Sequence, residues 1–267
     1  KTKDNSGVLQ NSVREEISYN ELGFTEVRTT QRWIEGAWVN ETRTEFIYAG
    51  IDPTGSISMR WLDEQWIYTD KTDITYADNT ITYLNQYYLE NAWTNQNKNI
   101  HYYDEMGRSS QYEVFQWDAG EWMQTLRINQ YYTDDNWGPD STIQKFMGWS
   151  DWQTKSVYYY NEDGDLVEEI VQNFYAEEPG LRKGSEWFND MRMLFAYDDR
   201  RNNTEVVYYF WSQNEENPDG FWDASSRDTW VYDLDNDMTE LHSYYYDYEL
   251  SGWIPGYGNF SIMDGYN

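Results

Sequence analysis

The stretch Tyr103-Asp104-Glu105-Met106-Gly107-Arg108-Ser109-Ser110-Gln111-Tyr112-Glu113-Val114-Phe115-Gln116-Trp117-Asp118-Ala119-Gly120-Glu121-Trp122 holds one complete structural unit. Asp104 can cap a turn with its side chain, and Gly107, three residues later, supplies the positive φ that a type I turn plus bulge requires. Tyr112, Val114, Phe115 and Trp117 are strand formers. Asp118-Ala119-Gly120 makes a second, smaller turn that delivers the chain to Trp122. The unit is therefore a β-hairpin with one turn at each end.

The same unit recurs along the chain. A Tyr before a turn stands at 19, 48, 76, 103, 132, 160, 197 and 232, and a parallel Trp at 38, 66, 93, 122, 152, 187, 222 and 253. The step from Trp to the next Tyr is 10 residues in six of seven cases, Trp152 to Tyr160 being 8, so it is a structural element of fixed length. An even step predicts that Trp and Tyr share one face of an extended strand. Turn chemistry follows most of the tyrosines, as in Asn20 to Gly23, Asp52 to Gly55, Asn161 to Gly164 and Asp198 to Asn203. Two strands of ~10 residues per unit predict an all-β, single-domain antiparallel hairpin array of about 16 strands, residues 14–267, after a lead of residues 1–13. A twisted open sheet coiled into a superhelix is the expected disposition, with a closed barrel or a four-bladed propeller as alternatives. The longer turns before Trp187 and Trp222 fall on the same edge of the sheet.

Composition narrows the function. The 267 residues carry 48 Asp and Glu against 19 Lys and Arg, a net charge of -29, with no Cys and two His. Such a surface repels phosphate backbones, so no nucleic-acid partner is expected. Without Cys there is no thiolate metal site, disulfide or Cys nucleophile. No apolar run approaches the ~20 residues of a spanning helix, and no charged-then-apolar leader opens the sequence, so no transmembrane segment is expected. Leu, Ile, Val and Phe make only 47 residues, but 15 Trp and 26 Tyr can bury an apolar body while keeping a polar atom at the water edge. The expected core is thin, aromatic and half wet.

The phrases Tyr102-Tyr103-Asp104-Glu105-Met106-Gly107-Arg108, Tyr159-Tyr160-Asn161-Glu162-Asp163-Gly164-Asp165 and Ala196-Tyr197-Asp198 resemble the repeated phrase of YD repeats, found in Rhs-type shells and in exported repeat proteins of Bacteroidetes. The resemblance covers about residues 17 to 263. It implies β-hairpin sheets without a catalytic centre, in proteins of the cell surface or exterior whose signal sequence is removed. Tyr48-Ala49, Tyr76-Ala77 and Tyr132-Thr133 depart from the phrase in lacking its Asp.

Catalysis needs an asymmetric constellation, whereas structure reuses one residue in every unit. The breaks in the pattern are the long turns, where Glu177, Glu178, Glu215, Glu216 and Asp219 are the only candidates for a glycoside-acting enzyme. His101 and His242 lie far apart in sequence and at different unit positions, and His101 reads as a cross-strand filler. Asp233, Asp235 and Asp237 space carboxylates like the first half of a calcium loop, which makes Ca²⁺ the one cofactor to consider. Trp137, Trp149, Trp211 and Tyr257 stand outside the repeat and are the expected ligand-binding aromatics, able to stack on sugar rings. The resulting expectation is a non-enzymatic, exported or cell-surface protein that binds an extracellular glycan or protein, with a spacer as the alternative.

Overall fold

In the computed structural model the described residues are 2–3, 9–10, 13–133, 138–147, 153–174, 187–214, 217 and 219–256. Among them every regular element is a β-strand. The chain forms two compact units, Lys1–Leu126 and Arg127–Asn267. A two-residue ladder, β1 (Thr2–Lys3) with β2 (Leu9–Gln10), comes first. The array of the first unit then runs β3 (Val13–Tyr19), β4 (Thr25–Ile34), β5 (Ala37–Ala49), β6 (Asp52–Leu62), β7 (Gln65–Ala77), β8 (Thr80–Leu89), β9 (Ala92–Tyr103) and β10 (Ser109–Asp118). The division between units falls within β11 (Glu121–Tyr131). Then follow β12 (Ser141–Phe146), β13 (Gln153–Tyr160), β14 (Leu166–Phe174), β15 (Phe188–Tyr197), β16 (Asn203–Ser212), β17 (Phe221–Tyr232), β18 (Met238–Asp247) and β19 (Gly252–Pro255). From β3 to β10, and again from β12 to β19, each strand pairs antiparallel with the next, as the repeat predicts.

Two turn types alternate. After β3, β9 and β13 an Asn or Asp side chain accepts two backbone N–H groups: Asn20 from Leu22 and Phe24, Asp104 from Met106 and Arg108, Asn161 from Asp163 and Asp165. Gly23, Gly107 and Gly164 take the left-handed conformation there, with φ of 83°, 78° and 82°. These are the expected type I turns with a bulge. At the opposite end the turns are tighter. Glu35-Gly36, Asp63-Glu64, Glu90-Asn91 and Ala119-Gly120 each have positive φ at both residues, the backbone whose twist matches the flanking strands.

The assignment of Trp and Tyr to one face is corrected by the register. Thr30 pairs with Thr42 but Gln31 with Asn40, so Glu41 is an extra, bulged residue. Thr69, Gln96, Asp190 and Ser225 are bulged in the same way, each three residues after the unit's Trp. A bulge inserts one residue and reverses the alternation beyond it. Trp38 therefore shares a face with Trp33, Gln31, Asn40, Arg43 and Glu45, while Tyr48 lies on the other face with Phe46 and Thr44. An indole face and a phenol face result.

Little of either face is fully dry. Among the described residues the buried apolar side chains are Met59, Val206 and Val207, and no large side chain is completely enclosed. Cohesion comes instead from cross-strand pairs. On the indole face, rings flank each tight turn edge to face: Trp33–Trp38 at 5.2 Å, Trp61–Trp66 at 5.0 Å, Tyr88–Trp93 at 5.1 Å and Trp117–Trp122 at 4.9 Å. Each such pair adds about 0.2 to 1 kcal/mol over an Ala pair.

Phenols fasten one hairpin to the next. The Tyr48 hydroxyl donates to the Thr25 carbonyl at 3.0 Å, Tyr76 to Pro53 at 3.0 Å, Tyr160 to Pro139 at 3.1 Å and Tyr197 to Leu166 at 2.9 Å. Burial pushes the Tyr160 and Tyr197 phenols above their ordinary value. A phenol whose folded pKa exceeds its unfolded one stabilises the fold fully below the unfolded value, near 10, and that contribution is lost as pH rises through the folded value. Denaturant midpoints should therefore fall as pH climbs above about 10. Tyr197→Phe should show a shallower fall, because it has no proton to lose there; an identical pH profile would refute the link.

Candidate functional site

The face that a ligand can reach on β7, β8 and β9 is built from the tight-turn end inward. Its outermost row is the ring pairs. In the next row, two residues from each ring, Gln31 donates to Asn40 at 2.8 Å, Gln86 to Asn95 at 3.0 Å and Gln172 to Asn189 at 3.0 Å. These amide pairs close a ladder on the indole face.

The row is not amide throughout: Phe115 and Gln124, Tyr209 and Ala224, and Tyr244 and Pro255 hold it in other hairpins. Between β6 and β7 the positions of the amide pair are held by Met59 and Tyr68, which pair directly across the strands. Met59 is buried and Tyr68 is 46% exposed, so the thioether fills the sheet surface and the phenol stands above it. Two residues after the Trp, the other units have Asn40, Asn95, Gln124, Thr154, Asn189, Ala224 and Pro255, none of them aromatic. The Tyr68 ring meets Tyr88 at 5.4 Å and Trp93 at 5.7 Å, and these two meet each other at 5.1 Å. The three rings make an aromatic platform with the Gln86–Asn95 amides along one border.

Sequence reading missed Tyr68 although its signal was available, an aromatic two residues after the Trp, where the other units have none. Trp211, by contrast, belongs to the ladder and not outside it. It pairs with Trp222 at 4.9 Å edge to face, as Trp33 does with Trp38. The insertion between β16 and β17 had concealed this register. Gly220 lies against the indole, and a Cβ there would strike the Trp211 ring. Trp137, Trp149 and Tyr257, like Glu177, Glu178, Glu215 and Glu216, lie outside the described residues. Asp219 is exposed in the turn before β17.

Asp233, Asp235 and Asp237 form another capped hairpin turn: the Asp233 carboxylate accepts the N–H groups of Asp235 and Asp237, and Asn236 takes the left-handed position at φ 68°. The turn is held laterally by Arg200, whose guanidinium donates to the Asp233 carbonyl at 2.5 Å, and by Asn202 bonded to Asn236 at 3.1 Å. Among the described residues no three His, Asp or Glu side chains converge as a metal site would require. Arg201 ties the same rim to Asp165, whose carboxyl its hydrogen bond holds below the usual range.

His101 lies between Tyr83 at 5.5 Å and Tyr112 at 4.5 Å on the phenol face, and burial lowers its pKa. His242 pairs with Glu240 at 2.8 Å. The histidines thus have separate structural surroundings.

No protein-family model and no curated protein sequence matches the chain. Solved structures with a related course include a porin-like protein from Bacteroides uniformis, 10% identical, with a TM-score of 0.36 over 88% of this chain and 90% of that one. A DUF3836 family protein from Bacteroides vulgatus is 18% identical, with a TM-score of 0.29 over 41% of this chain and 98% of its own. A chain in the structure of TcdB2-TccC3-Cdc42 is 11% identical, with a TM-score of 0.33 over 87% of this chain and 14% of its own. Among the described residues no helix is long and apolar enough to cross a membrane.

Proposed function

We propose that this chain is a non-catalytic binding protein of the cell exterior and that the platform of Tyr68, Tyr88 and Trp93 holds a glycan. The observation that carries this reading is the cluster of Tyr68, Tyr88 and Trp93, three rings within 5.7 Å of one another, with Tyr68 46% exposed. Other rings of this row, Phe115, Tyr209 and Tyr244, lie on the strand before the tight turn; only Tyr68 places one two residues after the Trp. Sugar rings present C–H faces to aromatic faces, and bordering amides can bond their hydroxyls. The acidic surface suits an extracellular, soluble setting where self-association is disfavoured.

The test is affinity electrophoresis of wild type and Tyr68→Ala in gels containing soluble polysaccharides. Loss of one stacking partner should weaken binding about tenfold. The melting temperature should stay within a degree or two, because Tyr68 is surface-exposed. Equal retardation of both proteins by every polysaccharide that retards the wild type would refute the platform.

A further inference from the structure

Cations recur on the indole face at a position the repeat pattern alone does not reveal. Five residues after the Trp stand Arg43, Lys71, Lys98, Arg127, Arg192 and Arg227, six of the 19 Lys and Arg in a chain of net charge -29. Counting by twos would put them opposite the Trp. The bulge at the third residue brings Arg43, Lys71, Lys98, Arg192 and Arg227 back to the indole side.

Beside the platform this becomes a local arrangement. Lys71 is directly opposite Gln86, and Gln86 is directly opposite Asn95, so a cation and two amides lie abreast on β7, β8 and β9. Tyr68 and Tyr88 lie one row outward on the same face. Lys98 follows along β9, its ammonium 4.5 Å from the Phe115 ring and 5.1 Å from the Trp122 ring. Among the described residues Lys98 makes no ion pair, while Lys71 reaches Asp73 at 2.7 Å. Lys98 is thus turned toward aromatic rings and Lys71 toward a carboxylate, both on the indole face.

Resting on the glycan reading above, we infer that the platform's ligand is an anionic polysaccharide, one that stacks a sugar ring on Tyr68, Tyr88 and Trp93 and sets its sulfate or carboxylate against Lys71 and Lys98. A neutral sugar uses the rings and amides but leaves both ammonium groups without gain. An anionic substituent gives the Lys98 ammonium a charge-assisted acceptor and shares that of Lys71 with Asp73. The overall negative charge acts against non-specific capture of polyanions, so retention of one requires local cations.

The experiment compares dextran with dextran sulfate, which share a backbone and differ in their sulfate esters, and adds polygalacturonate as a carboxylate-bearing chain. The 267-residue chain should bind dextran sulfate or polygalacturonate at least tenfold more tightly than dextran. Lys98→Gln and Lys71→Gln, each checked for an unchanged near-ultraviolet circular dichroism spectrum, should each cut that anionic affinity about tenfold. Equal affinity for charged and neutral chains overturns the inference and leaves the platform standing. Lysine variants that melt lower yet bind as wild type also overturn it, since the cations would then serve only the sheet. Absence of binding to all three polymers, with Tyr68→Ala silent, removes the platform itself.

Discussion

Gly55→Ala is expected to lower stability by about 3 kcal/mol, an overpacking cost at the top of the usual range. Gly55 is buried in β6 opposite Asp73 of β7. A Cβ on it would be driven into the Thr72 carbonyl oxygen, with the Thr72 carbonyl carbon at 3.4 Å and the Asp73 Cα at 3.5 Å. All three are main-chain atoms held in the ladder, so the strands must separate for the methyl group to fit. Gly23→Ala is the control. Its φ is 83° but nothing lies within 4 Å of the added atom, so the cost is the conformational one alone, about 1 kcal/mol. Urea midpoints for the two variants measure the difference, and equal losses would contradict the steric account.

Trp211→Ala should cost a similar ~3 kcal/mol through the emptied ring site and the stranded partner Trp222. Its indole is half-buried, stacks edge to face at 4.9 Å and fills the space beside Gly220. Trp211→Phe should recover most of the loss by restoring a ring edge. A chemical melt reads both. An unchanged midpoint for the alanine variant would return Trp211 to the role of a ligand-binding residue free of the ladder.

The hairpins were legible because their causes are local. Asn20, Asp104 and Asn161 bond their own turns, and the Gly three residues on takes a backbone that few other residues favour. The faces were not legible because the bulged residues Glu41, Thr69, Gln96, Asp190 and Ser225, though all polar, are flanked by equally polar residues such as Asn40, Asp70, Asn97, Asn189 and Ser226. What sets them is the fit of a twisted strand to its neighbour, and one unseen residue reverses every assignment beyond it. The same omission hid the cations, which fall on the indole face only once the bulge is counted. Trp211 was misread for another reason: an insertion moved its partner from five residues away, as in Trp33 and Trp38, to eleven. For Asp233 the spacing of carboxylates was legible, but not that its Oδ1 accepts two backbone N–H groups of its own turn.

The four phenol bonds that fasten hairpin to hairpin run one way. Tyr48, Tyr76, Tyr160 and Tyr197 each reach back to a carbonyl laid down earlier in the chain. A polypeptide released amino end first therefore finds every fastening partner already in place, and stiffens stepwise as it lengthens instead of waiting for its last residue.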